Sequence, residues 1–359
     1  MTTLNNDTMD YTGTENLLRL LLIEKNLSSD LRHEINEKTK MFLNGLTDDV
    51  GEFLCFELDD EEHSEDDIRT LVQCVPGALS LTDDFGGFPI NSACLSDQTV
   101  SFIPVFAEEG MKLNVGGDGM RGGLLREDCE DYSGGSALKE ISCNNTYISG
   151  AESEYYDTRD SRTLNVIKRL RKIGLIEKED IRKYNLLCES CNEWSSKRFN
   201  YFADWDPSAL KEVQQDGKSL LQSCARVSNQ SSVSWCIATF QLALSATLRH
   251  YPHELGLLLL KNANSHTPFQ VARKHFGEQE SWKMIKKCLD ESNGSTILER
   301  DPETNMYPFL SAAVGDDTSE LDLVYYFVRR NPLTLLSEHC NDNITTSSTD
   351  ITCSQKRKR

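Results

Sequence analysis

Short apolar segments that begin abruptly after a turn are the main pattern along this chain. In NANSHTPFQVARK, residues 262–274, Thr267 can cap a helix through its hydroxyl, and Pro268 suits the first helical turn, where no N–H is needed. Phe269 and Ala272 follow three positions apart, on one helical face. The pattern predicts a short helix with a sharp start and a small residue where a neighbouring element packs closely.

The same arrangement occurs four more times. The further copies read DDFGGFPINSAC at 83–94, DYSGGSALKEISC at 131–143, QQDGKSLLQSC at 214–224 and DPETNMYPFLSAA at 301–313. A second motif, Pro-x-x-Leu, precedes several of these turns, and Pro76 and Pro207 each lie 13 residues before the helix start that follows. Because two separate features share one offset, we predict an internal repeat.

A longer amphipathic segment follows each copy. Apolar residues with helical spacing mark the two clearest cases, Trp282, Ile285 and Leu289 in the first and Leu321, Val324, Tyr325 and Val328 in the second. The apolar run from Val233 to Leu248 contains several polar residues, so we predict a buried helix there and no membrane span. The expected unit is a turn, a short helix, a loop and a longer helix, which makes the fold class all-α.

Two of these segments resemble the ankyrin repeat, whose signature is Asp-x-x-Gly-x-Thr-Pro-Leu-His-x-Ala. The matching residues are Asp83, Gly86, Pro89, Ile90 and Ala93 in one segment, and Thr267, Pro268, Phe269 and Ala272 in the other. The chain is also similar to the divergent ankyrin-like repeat family that is abundant in some unicellular algae, and its basic stretch 166–187 looks like a segment of that group. The resemblance implies an α-solenoid of helix–turn–helix repeats over residues 15–338, whose concave face binds another protein without catalysis.

The chain departs from the ankyrin pattern in the spacing of the repeats and at the signature histidine, which is Asn91, Gln222, Gln270 or Ser311 here. Helix starts lie 48, 48 and 40 residues apart along parts of the chain, whereas a typical ankyrin repeat has about 33 residues. We therefore expect inserted loops, a flexible Gly-rich one near 112–136 and another near 144–162. The interval from 137 to 220 has room for one extra repeat. We expect residues 1–14 and 339–359 to be disordered.

Charge is distributed unevenly along the chain. The net charge is −19, and residues 1–160 contain 33 acidic and 11 basic side chains. Such an acidic half disfavours nucleic acid and anionic membranes as partners and suits a basic protein. The sequence shows no signal peptide and no apolar run long enough to cross a bilayer, so we expect a cytoplasmic or nuclear protein with reduced cysteines.

Two local motifs suggest other functions. Gly117–Gly122 satisfies GxGxxG, but a very acidic segment follows it, which favours a flexible loop over a nucleotide site. Cys188 and Cys191 form a CxxC motif, and Cys224 and Cys236 are the only nearby candidates for a second pair of zinc ligands. A repeat-decorated enzyme or a zinc-binding protein is therefore the alternative to a scaffold, although we predict no enzyme, no cofactor and no small-molecule substrate.

Two basic stretches could be either solvated surface or functional sites. Residues 166–184 carry seven Lys and Arg side chains, yet Val166, Ile167, Leu170 and Ile173 form a helical stripe, so a repeat helix with a solvated basic face is favoured over a nucleic-acid site. The terminal residues Lys356, Arg357, Lys358 and Arg359 form a candidate nuclear localisation signal, so a nuclear regulatory protein directed by this basic tail is a further alternative function.

Turn tips and inner-helix positions are the predicted protein-binding residues, because signature-variable positions of a repeat are the ones that can differ between partners. These residues are Phe88, Asn91, Gln215, Gln222, His266, Gln270, Tyr307 and Ser311.

Overall fold

A computed structural model describes residues 29–83, 86–127, 135–143, 153–191, 195–214, 217–226, 233–262, 266–292, 300, 306–314 and 321–330. Its α-helices are α1 (Ser29–Phe56), α2 (Glu65–Cys74), α3 (Pro89–Ser92), α4 (Ile103–Leu113), α5 (Ala137–Cys143), α6 (Ser153–Lys172), α7 (Lys178–Lys183), α8 (Leu186–Glu189), α9 (Ser196–Trp205), α10 (Leu220–Cys224), α11 (Val233–His250), α12 (Pro268–Phe276), α13 (Glu278–Glu291), α14 (Pro308–Ala313) and α15 (Leu321–Arg330). Short 3₁₀ helices span Pro76–Ser80, Val100–Phe102, Pro207–Lys211 and Leu255–Leu257.

The described part of the chain is helical and contains no β-strand, which confirms the all-α prediction. The strand-like pairing in these residues is one antiparallel bridge between Val213 and Ser219. None of the helices in the described ranges combines the length and the apolar character that crossing a bilayer requires. The chain divides into two compact units, Met1–Ala137 and Leu138–Arg359, where the sequence suggested one continuous region.

The first unit packs around the second half of α1. Val50, Leu54 and Leu58 recur at four-residue spacing and are buried, since residues four apart share one helical face. Helices α2 and α4 are also joined by an ion pair that links Arg69 to Glu108 and Glu109, with N–O distances of 2.6 and 2.5 Å. The unit therefore combines an apolar core with a charged clasp between neighbouring helices.

The glycine-rich segment after α4 is packed against that helix and is not a loose insertion. Leu124 and Leu125 are buried. A Cβ atom on Gly122 would lie 2.3 Å from the carbonyl oxygen of Ala107, and one on Gly110 would lie 2.6 Å from the carbonyl oxygen of Gly122. Since side chains at these two glycines would separate the loop from the helix, the glycines permit close backbone packing. A helix also precedes the GxGxxG motif where a dinucleotide site has a strand.

In the second unit, four helices, α6, α7, α8 and α9, lie in the interval between α5 and α10 for which the sequence left room. The loop predicted near 144–162 is wrong from Ser153 onward, because α6 begins there; residues 144–152 lie outside the described ranges. The buried face of this part of α6 is mostly polar, with Arg159, Asp160 and Thr163. A hydrophobic periodicity could not reveal it.

A buried ion pair explains why that face is polar. Arg198 of α9 donates from Nε to Oδ1 of Asp160 at 2.7 Å and from Nη1 to the carbonyl oxygen of Ile141 at 2.6 Å. Burial lowers the pKa of the Arg198 guanidinium from its ordinary value, while Asp160 opposes that change. The arginine thus caps the end of α5 and ties α5, α6 and α9 together.

The turn before α3 has a specific set of hydrogen bonds. The N–H of Asp83 donates to the carbonyl oxygen of Gly87 at 2.9 Å, and the N–H of Gly86 donates back to the carbonyl oxygen of Asp83 at 3.0 Å. Ser92, nine residues after Asp83, donates its hydroxyl to Oδ2 of Asp83 at 3.1 Å. Gly86 has φ of +79°, a conformation that favours glycine.

The turn before α10 repeats this set in the second unit. Gln214 donates to the carbonyl oxygen of Lys218 at 2.8 Å, Gly217 donates to that of Gln214 at 2.9 Å, and Ser223 donates to Oε1 of Gln214 at 3.3 Å. Gly217 has φ of +77°. Every sequence offset equals that of the first turn, so the two turn–helix segments have the same local structure.

Further shared geometry precedes and follows these two turns. The Pro-x-x-Leu motifs at 76–79 and 207–210 both begin 3₁₀ helices, and both of their leucines are buried. Before α12, the N–H of Asn262 donates to the carbonyl oxygen of His266 at 3.0 Å, as Asp83 does to Gly87. The described residues thus contain two closely matched copies of the turn–helix segment with its preceding Pro-x-x-Leu motif. A third segment, before α12, shares the backbone hydrogen bond of the turn.

Candidate protein-binding cleft

Three of the predicted binding positions act inside their own helix starts. Gln222 accepts a hydrogen bond from the backbone N–H of Ser219 at 3.0 Å, Gln270 accepts one from Thr267 at 3.0 Å, and Asn91 accepts one from Phe88 at 3.2 Å. Each side chain therefore satisfies a backbone donor at the N-terminus of a short helix.

Gln222 also connects two successive turn–helix segments. Its Nε2 donates to the carbonyl oxygen of His266 at 2.7 Å, so this side chain links the start of α10 to the turn before α12. Gln222, Asn91 and Phe88 are all buried. Because buried side chains offer no surface to a partner, the prediction that Gln222, Asn91 and Phe88 bind a partner is wrong, and we assign these residues a structural role.

The other predicted positions are distributed as follows. His266 is exposed and Gln270 is half-buried, while half-buried Tyr307 has the guanidinium of Arg300 4.6 Å from its ring centroid. Ser311 belongs to α14, with its side chain outside the described atoms. Gln215 and the basic residues 356–359 lie outside the described ranges, as do the segments 1–14 and 339–359.

A cleft of about 570 Å³ lies in the second unit beside the turn that precedes α10. One wall comes from the end of α7 and the start of α8, where Asn185 has φ of +55° and redirects the chain between the two helices. The other wall is the extended segment from Glu212 to Gln214, which the bridge between Val213 and Ser219 holds in place.

Aliphatic, aromatic and basic side chains line this cleft. Val213 is 55% exposed, and the ammonium of Lys183 lies 4.9 Å from the ring centroid of Tyr184. Arg182 is also exposed at the rim, with Nε 3.0 Å from the carboxylate of buried Asp206. The cleft therefore combines an exposed aliphatic residue, two cations and a tyrosine ring.

Burial raises the pKa values of two ionisable groups that line the cleft. Burial raises the pKa of the Cys188 thiol to about 11. It also raises the pKa of the Glu189 carboxyl, an effect that Lys139 opposes. Since the reactive species of cysteine is the thiolate, Cys188 is a poor nucleophile at neutral pH.

The second cysteine of the CxxC motif is buried and packs against another cysteine. The sulfur atoms of Cys191 and Cys224 are 3.2 Å apart and both residues are buried. The contact with Cys224, together with burial, raises the pKa of Cys191 well above its ordinary value. Among the described residues, no three His, Cys, Asp or Glu side chains are grouped to hold a metal ion. The cysteines thus pack together within the helix-pair core.

The basic stretch forms a solvated face, and three of the four residues of its predicted apolar stripe are buried. These are Val166, Ile167 and Leu170, whereas Ile173 follows the end of α6 and is exposed. Arg171 is exposed and donates to the hydroxyl of Tyr201 at 3.0 Å. Its guanidinium also lies 4.0 Å from the ring centroid of Trp205. These contacts join α6 to α9 through cation–π interactions.

Sequence reasoning missed most of the cleft. Arg182 and Lys183 belong to the basic stretch, but Tyr184, Glu212 and Val213 were not among the predicted binding residues. A valine beside a predicted turn, where polar residues are usual, was the available signal.

No protein-family model matches the chain, and comparison with curated proteins and with solved structures gives no match.

Proposed function

We propose that this chain is a non-catalytic protein-interaction scaffold of the ankyrin-repeat type, and that the cleft between α7, α8 and the segment 212–214 contacts its protein partner. The observation that carries the proposal is the repeated turn, whose hydrogen bonds and offsets recur at Asp83 and Gln214. Repeats that present turns at regular intervals build extended binding surfaces, and specificity comes from residues that differ between the turns.

The chemistry of the cleft supports binding more than turnover. Val213 provides an apolar contact, and Tyr184 provides an amphipathic ring of the kind enriched in interfaces. The thiol of Cys188 is protonated at neutral pH because its pKa is raised to about 11. The alternative of a zinc-binding protein that uses Cys188 and Cys191 has no comparable support.

The test is affinity purification from cells with the wild-type chain, the double variant Val213→Asp/Lys183→Glu and the control Lys172→Glu. Lys172 is an exposed lysine of α6 outside the cleft lining. We expect a protein that the wild type and the control retain and the double variant loses. With that protein purified, its Kd should rise at least about tenfold in the double variant, as for a central interface residue.

Equal recovery by all three chains, followed by equal Kd values, would remove the cleft from the proposal. A small molecule that is converted by the wild type, and not by Cys188→Ala, would instead favour the enzyme alternative. Circular dichroism of each variant establishes that it is folded before binding is compared.

A further inference from the structure

A second cavity, of about 560 Å³, lies between α13 and α15. Trp282, Lys286 and Asp290 are spaced four residues apart on α13 and therefore form one stripe. On α15, Tyr325 and Arg329 are four residues apart, and Tyr326 and Arg330 repeat that spacing. Two helical stripes that each combine aromatic and charged side chains thus line the cavity.

The acidic group of this cavity is already neutralised. Asp290 accepts a hydrogen bond from the hydroxyl of Tyr326 at 2.6 Å and one from Nη1 of Arg330 at 2.5 Å. These contacts, that of Tyr326 first, hold the pKa of the Asp290 carboxyl below its ordinary value. Lys286 also attracts the Asp290 carboxylate electrostatically, but the cavity has three cations for this one carboxylate, and two of them form no ion pair with it.

Lys286 and Arg329 are those cations. Both are exposed, and neither forms an ion pair with any residue in the described ranges. Tyr325 is 65% exposed beside them. The ring of Trp282 packs edge-on against Tyr326 with centroids 5.8 Å apart, which fixes the aromatic wall. The cavity therefore presents two positive charges next to a rigid aromatic surface.

We propose that this cavity binds an acidic peptide segment of a partner protein, in which carboxylates pair with Lys286 and Arg329 and an aromatic or large apolar side chain packs against Trp282 and Tyr325. Charge complementarity selects an anionic occupant. The aromatic wall favours a peptide side chain over a hydrated ion, because ring stacking and apolar burial need a large apolar group. This site differs from the cleft beside α10 in the helices that form it and in every residue that lines it.

The probe is a fluorescein-labelled heptapeptide in which one Phe is flanked by three Glu on each side, titrated with the full chain in low salt and followed by fluorescence polarisation. We expect saturable binding that weakens about tenfold in Lys286→Gln/Arg329→Gln, since charge-assisted contacts are lost. Lys283→Gln changes an exposed lysine of the same helix outside the cavity lining, and its affinity should stay within about twofold of wild type.

Two further probes separate the chemistry from general charge attraction. A peptide with Ser in place of Phe should bind several-fold more weakly, and Tyr325→Ser should reduce that difference. Absence of saturable binding, equal loss in Lys283→Gln, or equal affinity for the Ser peptide would overturn the proposal. Tighter binding of a fluorescein-labelled oligothymidylate than of the Phe peptide would also overturn it, because the cavity would then recognise a phosphate backbone. Failure here leaves the cleft beside α10 untouched, since the two tests use different residues.

Discussion

The helix starts at Asn91 and Gln222 occupy equivalent positions in the two units, yet they are connected differently. Both side chains are buried and both accept a hydrogen bond from the N–H three residues earlier. Gln222 has one more methylene, and its amide nitrogen reaches the carbonyl oxygen of His266 at 2.7 Å. The amide nitrogen of Asn91 has no hydrogen-bond partner within the described ranges. One repeat position can therefore serve as a cap alone or as a cap and a cross-link.

Replacement of these two residues by alanine gives the largest expected difference between the units. Gln222→Ala removes two hydrogen bonds, which leaves the buried N–H of Ser219 without its acceptor and the carbonyl oxygen of His266 with the N–H of Asn262 alone, and it should lower the free energy of unfolding by about 2–3 kcal/mol. Asn91→Ala removes one weaker hydrogen bond, so we expect a loss of about 1 kcal/mol. Urea denaturation followed by circular dichroism measures both.

Gln241→Ala is the matched control, because Gln241 is a half-buried helical glutamine of α11 with no hydrogen bond to its side chain in the described part of the chain. It should change stability by less than about 0.5 kcal/mol. Equal losses for Gln222→Ala and Asn91→Ala would show that the cross-link to His266 contributes nothing beyond the cap.

Alkaline pH should affect both units similarly, through Cys55 in the first and Cys188 in the second. Burial raises the pKa of each thiol to about 11. Between the ordinary value of 9.0 and that value, the native state keeps a proton that the unfolded chain releases. Stability is therefore full below pH 9 and is lost as the pH rises towards 11, by about 1–2 kcal/mol for each thiol.

Urea denaturation at a series of pH values measures this slope. Cys188→Ala and Cys55→Ala should each flatten it, whereas Cys74→Ala, which removes an exposed thiol, should leave it unchanged. The remaining slope in the double variant Cys55→Ala/Cys188→Ala should come from Cys191 and Cys288, whose pKa values are also raised, and a slope unchanged from wild type would contradict the assignment to Cys55 and Cys188.

The turn glycines should give the smallest difference between the units, because their geometry is the same. Gly86 and Gly217 have φ of +79° and +77°. Alanine in this left-handed conformation costs about 1–2 kcal/mol. A Cβ atom on Gly86 would meet no atom within 4 Å, so its cost is conformational. We expect nearly equal losses of unfolding free energy for Gly86→Ala and Gly217→Ala in urea denaturation.

Gly45→Ala should change the free energy of unfolding in the opposite direction. This glycine lies within α1 and its added Cβ would also meet no atom within 4 Å, so the substitution should stabilise the helix by about 0.5–1 kcal/mol. If Gly86→Ala were neutral while Gly217→Ala was destabilising, the equivalence of the two turns would not extend to their energetics.

Much of the fold could be predicted from residues that act locally. Thr267 and Pro268 define a helix start through their own chemistry, and the turn at Asp83 needs a glycine where φ is positive. The buried helix at Val233–His250 was also predictable, because an apolar run of that length with scattered polar residues suits a helix core. These features depend on neighbours in the sequence.

The missed features depend on contacts between distant residues. The polar face of α6 is buried because Arg198, 38 residues after Asp160, neutralises it. The inward orientation of Asn91 and Gln222 depends on which backbone groups need a partner. The cleft is formed by α7, α8 and a bridged segment, and no single stretch of sequence contains its walls.

The buried Arg198 determines where the second unit can be divided. Any fragment that ends before this residue would retain a desolvated carboxylate at Asp160 with no counter-charge, and the last turn of α5 would lose its cap. A truncation series should consequently show a step in protease resistance once α9 is included. In this respect, residues 138–205 contain both partners of the ion pair and the carbonyl oxygen of Ile141 that Arg198 caps, so we expect them to be the shortest part of the second unit suited to expression and domain grafting.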